Sequence, residues 1–453
     1  MSSYTIDDFI DRIRGYDKQP FLAGDAGQCT YAELATAIDA YREKFADLDA
    51  SSGVVGLATD YSLDGIAALL ALWSRRACVA LLPAAAVENP GYANSGRIRH
   101  RIAVNDAGDV HREELSAADE HELLGRLRKS GNPGLILFSS GSSGEPKAVL
   151  HDVRRFLGKF QKPGKALVTF GFLVFDHVAG QDTLLYTLNA GGTLVTAKNR
   201  RPHTVAKLVA AHKVQVLPAS PTFLNLLIAA RAHEEHDMSS VEIVTYGSEP
   251  MSQGTLDELA QAFPRTKVIQ KYGTSEFGAI RSKSRSNTSL FINIKADETE
   301  AQVRDGLLWI RSPSTMLGYL NADALFDDEG WICTGDMVEQ DGDWVRILGR
   351  ASDLINVGGE KVVPGEVESC ILQLDFVIDA TVRGESNPLT GMMVVADVSV
   401  SAARDVGEPK SRRGVVKEIR QHCRATLEPH KVPVDVRFTD APMATERQKK
   451  IRR

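Results

Sequence analysis

Residues 135–147 read LILFSSGSSGEPK, an apolar run followed at once by a loop of glycine, serine and lysine. The run predicts a buried β-strand, and a strand that opens into such a loop is typical of layered α/β folds. Bare backbone N–H groups, serine hydroxyls and one cation suit a polyphosphate. The loop differs from a Walker A loop because its lysine follows proline and no helix start is prepared behind it. Its candidate residues are Ser139, Ser140, Gly141, Ser142, Ser143, Gly144 and Lys147.

Similar apolar runs recur along the chain, with helical stretches between them. They lie at residues 54–58, 166–170, 193–196, 214–217, 243–246 and 267–270. Residues 31–45 place apolar side chains at helical spacing behind Thr30, which is a residue type common at helix N-caps. This alternation predicts an α/β protein with layers of largely parallel strands.

The pattern of apolar runs and helical stretches changes in the last third of the chain. Residues 307–347 form short strand-like runs separated by turns, which predicts an antiparallel β region that closes the large domain. Beyond it, residues 392–400 predict a strand and residues 413–427 an amphipathic helix, so a compact α+β unit is expected. We therefore predict two domains, residues 1–349 and residues 350–453.

Composition and charge exclude several classes of protein. The 453 residues are 43% hydrophobic and 25% charged, which is typical of a globular protein with a large core. Lysine and arginine (53) are outnumbered by aspartate and glutamate (59), giving a formal charge of −6. No global positive field is available for nucleic acid, so a nucleic-acid partner is not expected.

The apolar segments and the cysteines indicate where the protein is located and whether it contains disulfides. The longest apolar stretches, residues 65–73 and 77–87, are shorter than the roughly 18 residues that a membrane span needs. The first residues lack a cationic flank followed by an apolar run, so we expect a cytoplasmic protein without a membrane span. The five cysteines lie far apart and form no CxxC pair, which favours free thiols over disulfides or a zinc site.

Six short motifs, in one order along nearly the whole chain, resemble those of the adenylate-forming superfamily of acyl- and aryl-CoA synthetases, peptide-synthetase adenylation domains and luciferases. The glycine and serine loop is the first of them. The others are YGTSE at residues 272–276, the GY turn with Tyr319, TGD at residues 334–336, GR at residues 349–350 with GGEKVVPGEVE at residues 358–368, and PMATERQKKIRR at residues 442–453. The resemblance implies a large N-terminal domain of layered α/β sheets plus a β region, and a small mobile α+β C-terminal domain.

The resemblance also implies a nucleotide site. Residues 139–147 would hold the β- and γ-phosphates of ATP, Thr274 would donate to the α-phosphate, and Glu276 would ligate Mg²⁺. Asp336 and Arg350 would hold the ribose hydroxyls. Taken alone, Glu276 would be interpreted as a solvated carboxylate after a turn and Asp336 as a turn-capping residue, whereas the ordered set of motifs favours their functional roles. The remaining residues of the implied nucleotide site are Gly247, Ser248, Glu249, Tyr272 and Gly273.

The stretch FDHVAG at residues 175–180 bears on the substrate. Counted from His177, the glycine pair at residues 191–192 has the spacing of the HxxG motif of acyl- and aryl-CoA ligases. Counted from Asp176, it does not match the amino-acid pattern of peptide synthetases, so a carboxylic acid without a recognised amino group is favoured. His177 either lies near the acyl carboxylate or caps the following helix. The implied acyl pocket consists of Phe175, His177, Val178, Ala219, Tyr246 and Gly273.

The C-terminal motifs resemble a hinge, a thiol loop and a catalytic lysine. The hinge falls at Ser352 and Asp353, where the family commonly has Asp or Lys at the first position. Matching the tail from its threonine selects Lys449 as catalytic, and matching the KIxR ending selects Lys450, so both stay candidates beside an ordinary basic tail. The loop that resembles the form in ligases handing acyl groups to CoA is Gly358, Gly359, Glu360 and Lys361.

The resemblance implies an acid–thiol ligase. Mg²⁺ and ATP would activate a small carboxylic acid as acyl-AMP with release of pyrophosphate, and a thiol would then take the acyl group. That thiol belongs either to CoA or to the phosphopantetheine of an acyl carrier protein in a biosynthetic pathway. An inactive nucleotide-binding member is a further alternative, and a P-loop kinase would release ADP instead of AMP. Both a monomer and a homodimer are compatible with the sequence.

Overall fold

The structure is a computed structural model that describes residues 4–25, 27–49, 53–115, 121–140, 145–294, 298–323, 326–401 and 404–439. The helices are α1 Ile6–Arg14, α2 Tyr31–Lys44, α3 Leu63–Ser74, α4 Pro90–Ser95, α5 Glu122–Ser130, α6 Val153–Leu157, α7 Val178–Asn189, α8 Pro202–His212, α9 Pro221–Ala229, α10 Ala232–Glu235, α11 Gln253–Ala262, α12 Pro364–Ile371 and α13 Pro409–Thr426. In the described part of the chain, no helix is both long and apolar enough to cross a bilayer.

The strands of the first half of the chain are β1 Pro20–Gly24, β2 Cys29–Thr30, β3 Val54–Ala58, β4 Cys78–Leu82, β5 Ile98–Val104, β6 Val110–Glu114, β7 Gly134–Ser140, β8 Pro146–Asp152, β9 Val168–Phe170, β10 Thr193–Thr196, β11 Val216–Ala219, β12 Ile243–Tyr246 and β13 Lys267–Gln270. Those of the second half are β14 Tyr272–Thr274, β15 Gly278–Ile280, β16 Lys283–Ser284, β17 Ile292–Asn293, β18 Glu300–Arg304, β19 Leu307–Arg311, β20 Gly318–Tyr319, β21 Ile332–Asp341, β22 Trp344–Arg350, β23 Ile355–Val357, β24 Glu360–Val362, β25 Val377–Asn387, β26 Gly391–Val400 and β27 Asp435–Phe438.

Two sheets made mainly of parallel strands confirm the predicted α/β class. One has the order β13-β12-β11-β9-β10-β1-β2, parallel throughout except for the edge strand β2. The other has the order β20-β8-β7-β4-β3-β5-β6, with parallel pairing from β7 to β5 and antiparallel strands outside. Parallel sheets need cover on both faces, which is why these strands read as continuous apolar runs.

Helices α2 and α3 show how local sequence builds the layers. Helix α2 begins behind Thr30, whose hydroxyl accepts the Glu33 N–H while the Glu33 carboxylate accepts the Thr30 N–H, a capping box. Helix α3 is apolar all round, from Gly65 to Trp73 entirely buried, as expected for a helix inside the core. The predicted helix at residues 31–45 and its N-cap are therefore confirmed.

An antiparallel sheet of order β16-β17-β22-β21-β19-β18 follows, as predicted for residues 307–347. The chain then forms a separate sheet of order β24-β23-β26-β25, with β27 parallel to β26. Helices α12 and α13 pack on that sheet around their own apolar core. Helix α13 begins at Pro409, four residues before the predicted start at 413, because proline suits the first helical position.

Candidate active site

Three neighbouring parallel strands end at the same edge of their sheet, beside the candidate site. Ala219 of β11 pairs with Tyr246 of β12, and Tyr246 pairs with Gln270 of β13, so the three carboxyl ends are level. The Tyr246 hydroxyl donates to Gln270 Oε1 at 3.1 Å, and all three residues are buried. Ligands of open α/β sheets bind outside such carboxyl ends. The segments that follow these strands are therefore the first place to look for a site.

The turn after β12 is tightly constrained. A Cβ on Gly247 would lie 2.7 Å from the Lys271 carbonyl oxygen, so only glycine fits there. Ser248 has φ of +73°, a conformation that costs a non-glycine residue energy and that clusters at functional sites. Glu249 Oε2 accepts the Thr222 hydroxyl at 2.7 Å, which ties this turn to the start of α9. The structure thus places predicted nucleotide residues 247–249 directly after the carboxyl end of β12.

A buried acid joins two of the predicted motifs. Asp336 Oδ2 accepts the Tyr272 hydroxyl at 2.5 Å, and Asp336 Oδ1 lies 2.7 Å from Arg350 Nε. The Arg350 guanidinium also donates to the Thr334 carbonyl at 3.2 Å. Burial raises the pKa of Asp336 above its ordinary value, although Arg350 and the Tyr272 hydroxyl act in the opposite direction. Strand pairing sets this geometry, because Asp336 of β21 is the direct partner of Arg350 of β22.

A second set of contacts continues from the same motif. The Thr274 hydroxyl accepts the Glu276 N–H at 3.3 Å, and Glu276 Oε1 accepts the Tyr319 hydroxyl at 2.7 Å. Lys147 Nζ lies 5.5 Å from the centre of the Tyr319 ring. Burial and the nearby Glu276 carboxylate raise the pKa of Tyr319 well above its ordinary value, so its hydroxyl keeps its proton. Together with the first set, these contacts form a group that we call the polar network: Lys147, Tyr319, Glu276, Thr274, Tyr272, Asp336 and Arg350.

Strands β7 and β8 present the ends of the glycine and serine loop. They pair antiparallel, with Ser139 opposite Lys147 and Ser140 opposite Pro146. The segment that follows the loop is therefore a strand paired with β7, in agreement with the sequence argument that no helix start is prepared there. Residues 141–144, which include Gly141, Ser142, Ser143 and Gly144, lie outside the described residues.

Sequence reasoning missed His151, a buried residue beneath the polar network. Its Nε2 lies 2.6 Å from the Ser275 carbonyl oxygen, inside the turn between Thr274 and Glu276. Burial lowers the pKa of His151 to about 4, so the ring is neutral at pH 7 and Nε2–H donates to that carbonyl. The available signal was a histidine directly after the apolar run Ala148–Leu150 of β8, where a buried polar side chain requires a partner.

The predicted acyl-pocket residues fall into two groups. Phe175 and Val178 are buried in one apolar cluster, and Ala219 and Tyr246 are buried in another, at the carboxyl ends of β11 and β12. His177 is the N-cap of α7, with its Nδ1 accepting the Ala179 N–H at 3.4 Å. The structure thus shows the helix-capping contact of His177.

Glycines in both predicted substrate motifs are required by close packing. A Cβ on Gly180 would lie 2.0 Å from the Val174 carbonyl oxygen and 2.7 Å from the Tyr61 hydroxyl. A Cβ on Gly273 would lie 2.5 Å from the Gly278 carbonyl oxygen, across the β14–β15 pair. Neither position therefore has room for another side chain.

The hinge and thiol-loop residues follow directly on β22. Ser352 and Asp353 lie in a single 3₁₀ turn, where the Ser352 hydroxyl donates to Asp353 Oδ1 at 3.0 Å. Gly358 and Gly359, with φ of +62° and +95°, connect β23 and β24 as a tight hairpin. Two consecutive positive φ angles explain the glycine pair.

Other predicted residues of these segments are exposed or undescribed. Glu360 and Lys361 are exposed on β24. The candidate lysines Lys449 and Lys450 lie outside the described residues.

Family models match most of the chain. The model for AMP-binding enzymes matches residues 85–320, which is more than half of the chain, and the model for the AMP-binding enzyme C-terminal domain matches residues 366–449. Among similar proteins, 4-coumarate–CoA ligase 4 of Arabidopsis thaliana is 26% identical over 360 residues, covering 72% of this chain and 63% of that protein. Acyl-CoA synthetase 7 of Caenorhabditis elegans is 26% identical over 350 residues, covering 70% and 63%. The alignments thus span less than two thirds of these curated relatives.

Solved structures share the fold over the whole chain. The anthranilate CoA ligase AuaEII, in complex with anthranoyl-AMP, superposes with a TM-score of 0.81 at 19% identity, covering 99% of this chain and 95% of that chain. The amide bond synthetase McbA from Marinactinospora thermotolerans superposes with a TM-score of 0.77 at 20% identity, covering 98% of each chain. At these identities the likeness concerns the fold.

Proposed function

The chain belongs to the family of AMP-binding enzymes, and we propose that it uses ATP to activate a carboxylic acid as acyl-AMP and then transfers the acyl group to a thiol. The observation that supports this proposal is the polar network. It joins a lysine, an arginine, two carboxylates and three hydroxyls, and its residues Tyr272 and Thr274 follow the carboxyl end of the parallel strand β13. Adenylation gathers negative charge on phosphoryl oxygens and on departing pyrophosphate, so cations and hydrogen-bond donors in fixed positions are what the reaction needs.

Each end of the network suits one part of ATP. Asp336 and Arg350 offer an acceptor and donors side by side, which matches the two hydroxyls of a ribose. At the other end, Lys147 brings a positive charge to the base of the glycine and serine loop, where we place the β- and γ-phosphates. Thr274 lies between the two ends and donates to the α-phosphate.

The donor set at Glu276 fits Mg²⁺. A carboxylate beside hydroxyl groups is the hard oxygen environment that this ion prefers, and Glu276 is fixed by the Tyr319 hydroxyl on one oxygen. Bound there, Mg²⁺ would neutralise phosphate charge. Three protein groups act beside the ion. Lys147 attracts the phosphates, Thr274 orients them, and His151 holds the turn between Thr274 and Glu276 in place.

We assign the acid to the region between the turn after β12 and the start of α7. Ala219, Tyr246 and Gly273 lie at or just after the strand ends, and Phe175 with Val178 supplies the apolar side. We assign His177 to the carboxylate side of this pocket, where its cap contact with α7 fixes the ring.

Transfer to the thiol uses the segment after residue 349. We place the domain boundary between residues 349 and 350, with Ser352 and Asp353 as the pivot. The glycine hairpin at residues 358–361 then meets the thiol of CoA or of a carrier-protein phosphopantetheine. A thiolate attacks the acyl-AMP carbonyl, the acyl–phosphate bond breaks, and AMP leaves with the electron pair.

The first experiment measures AMP formation from ATP across aliphatic, aromatic and amino acids, with and without CoA. We expect acid-dependent AMP that rises when CoA is added. Acid-dependent pyrophosphate exchange without a CoA response would assign the acceptor to a carrier protein. ATP binding without AMP for any acid would contradict the proposal.

The catalytic lysine is tested by Lys450→Ala and Lys449→Ala. We expect one of them to lower pyrophosphate exchange by at least a hundredfold while sparing thioester formation from supplied acyl-AMP, because the lysine contacts the reactants only during adenylation. Lys410→Ala, at an exposed lysine of α13, is the matched control and should change neither half-reaction. Full exchange in both tail variants would show that neither lysine is catalytic.

A further inference from the structure

Two imidazoles and a carboxylate meet on the surface where the first turn of α8 lies beside the end of α10. They belong to His203, Glu235 and His236, and one ligand atom from each side chain lies within 4.8 Å of the others. None of the three belongs to the polar network or to the predicted acyl pocket. The Glu235 and His203 side chains are 61% and 50% exposed, so an ion can reach them from solvent.

One pair of side chains in this cluster has the separation of two ligands on one metal ion. His203 Nδ1 lies 3.2 Å from Glu235 Oε2. Two ligands at about 2.1 Å from a tetrahedral zinc ion are roughly 3.4 Å apart, so this pair already has the separation of two ligands. The ring of His236 stands edge-on to that of His203, with centroids 6.4 Å apart. A rotation of this partly exposed side chain completes a three-ligand set.

We infer that His203, Glu235 and His236 bind a divalent transition-metal ion, with Zn²⁺ as the best fit. Two imidazole nitrogens and one carboxylate oxygen suit Zn²⁺, Ni²⁺ or Cu²⁺ better than Mg²⁺ or Ca²⁺, which prefer oxygen ligands alone. Three protein ligands leave a fourth position for water. This site is chemically distinct from the proposed Mg²⁺ site at Glu276.

Neighbouring groups explain why Glu235, and not the residue before it, is the carboxylate ligand. Glu234 Oε2 pairs with Arg231 at 2.6 Å, so its charge is already matched. His233 packs its ring against Phe263 with only 13% of its side chain exposed. Glu234 and His233 therefore contact Arg231 and Phe263, and Glu235 and His236 are the neighbouring side chains that can bind the ion.

A metal at this position would connect two helices that are distant in sequence. His203 lies on α8 and Glu235 on α10, and the intervening chain contains β11 and α9. An ion that binds only the folded arrangement stabilises it in proportion to the logarithm of its concentration. A metal ion bound at this site would therefore cross-link α8 and α10 and stabilise their packing.

The test uses chelator-treated, tag-free protein without nucleotide, titrated with Zn²⁺ against a chromophoric chelator. We expect one tight equivalent in the wild type and at least tenfold weaker binding in His203→Ala and His236→Ala. Co²⁺ should give a visible absorption band in the wild type that both variants lack. At Zn²⁺ a hundredfold above the Kd, the wild-type thermal midpoint should rise by about 3 °C, and the variants should not respond.

Matched controls come from the same two helices. Glu234→Gln and His212→Ala, the latter roughly 13 Å further along α8, should bind Zn²⁺ like the wild type. Thermal midpoints without metal show whether each variant is folded, and the partial exposure of the cluster predicts little change. Wild-type stoichiometry and affinity in the folded His203→Ala and His236→Ala proteins would overturn the inference.

Discussion

Tyr319 connects two charged groups of the proposed active site through different parts of its side chain. Its hydroxyl donates to Glu276, and its ring lies beneath the Lys147 ammonium. Tyr319→Phe removes the first contact and keeps the second. We expect the KM for Mg²⁺-ATP to rise about tenfold and the free energy of unfolding to fall by about 1–2 kcal/mol, because a hydrogen bond to a charged group is lost. Steady-state kinetics and denaturant unfolding measure the two effects.

A matched control for this variant is Tyr16→Phe. The Tyr16 hydroxyl also donates a hydrogen bond, to the Asn189 carbonyl oxygen at 2.6 Å. Tyr16 lies near α1 and α7 and is not part of the polar network. It should lose stability without a change in the KM for ATP. An unchanged KM in Tyr319→Phe would mean that the Tyr319 hydroxyl does not position Glu276.

His151 should make stability depend on pH. Its pKa in the folded protein is about 4, because of burial, against about 6.5 in the unfolded chain. As pH falls, the unfolded chain binds the proton first, so this contribution is complete above pH 6.5 and is lost progressively towards pH 4. In His151→Gln, the loss of unfolding free energy between pH 7 and 4.5 should be about 2.5 kcal/mol smaller than in the wild type. Urea unfolding at both pH values measures this.

His111→Gln, at an exposed residue of β6, is the control. It should leave the pH dependence of the unfolding free energy as in the wild type. If His151→Gln retains the full wild-type dependence, some other group is responsible. The variant also reports on catalysis, since glutamine can still donate to the Ser275 carbonyl and keep the turn in position.

At the scale of elements, the hairpin between β23 and β24 restricts substitution through its backbone conformation. Gly358 and Gly359 both have positive φ, so Gly359→Ala should cost about 1 kcal/mol and distort the loop. We expect slower thioester formation with unchanged pyrophosphate exchange. Gly254→Ala, in helix α11 with no atom within 4 Å of the new methyl group, should leave both half-reactions unchanged and stabilise slightly. Equal loss of both half-reactions in Gly359→Ala would contradict a role confined to transfer.

Elements whose sequence signal is local were predictable, and contacts between them were not. The runs at residues 193–196, 243–246 and 267–270 became β10, β12 and β13 with the predicted bounds, because buried parallel strands are continuous apolar runs. The bond between Tyr319 and Glu276 spans 43 positions and depends on the pairing of β20 with β8, which no local pattern specifies. Motif resemblance supplied the candidate site residues, and only the structure supplied the contacts between them.

At the scale of the whole molecule, one contact bears on the proposed movement between half-reactions. Asn225 of α9 donates its side-chain N–H to the Ile378 carbonyl of β25 at 2.7 Å. The predicted boundary assigns these residues to different domains. The proposed rotation of residues 350–453 about the hinge would break this contact, so we expect the arrangement with the bond intact to serve one of the two proposed half-reactions.

Cross-linking tests this movement. Asn225→Cys and Ile378→Cys, joined by a short bismaleimide in a background where the partly exposed Cys29 and Cys333 are replaced by serine, fix the two domains together. One half-reaction should then fall at least a hundredfold while the other stays within a few-fold of the untreated protein, because only one orientation remains accessible. The single-cysteine proteins, treated identically, should keep both. If quantitatively cross-linked protein runs both half-reactions at full rate, the domains do not rotate between them, and adenylation and transfer occur in one arrangement of the chain.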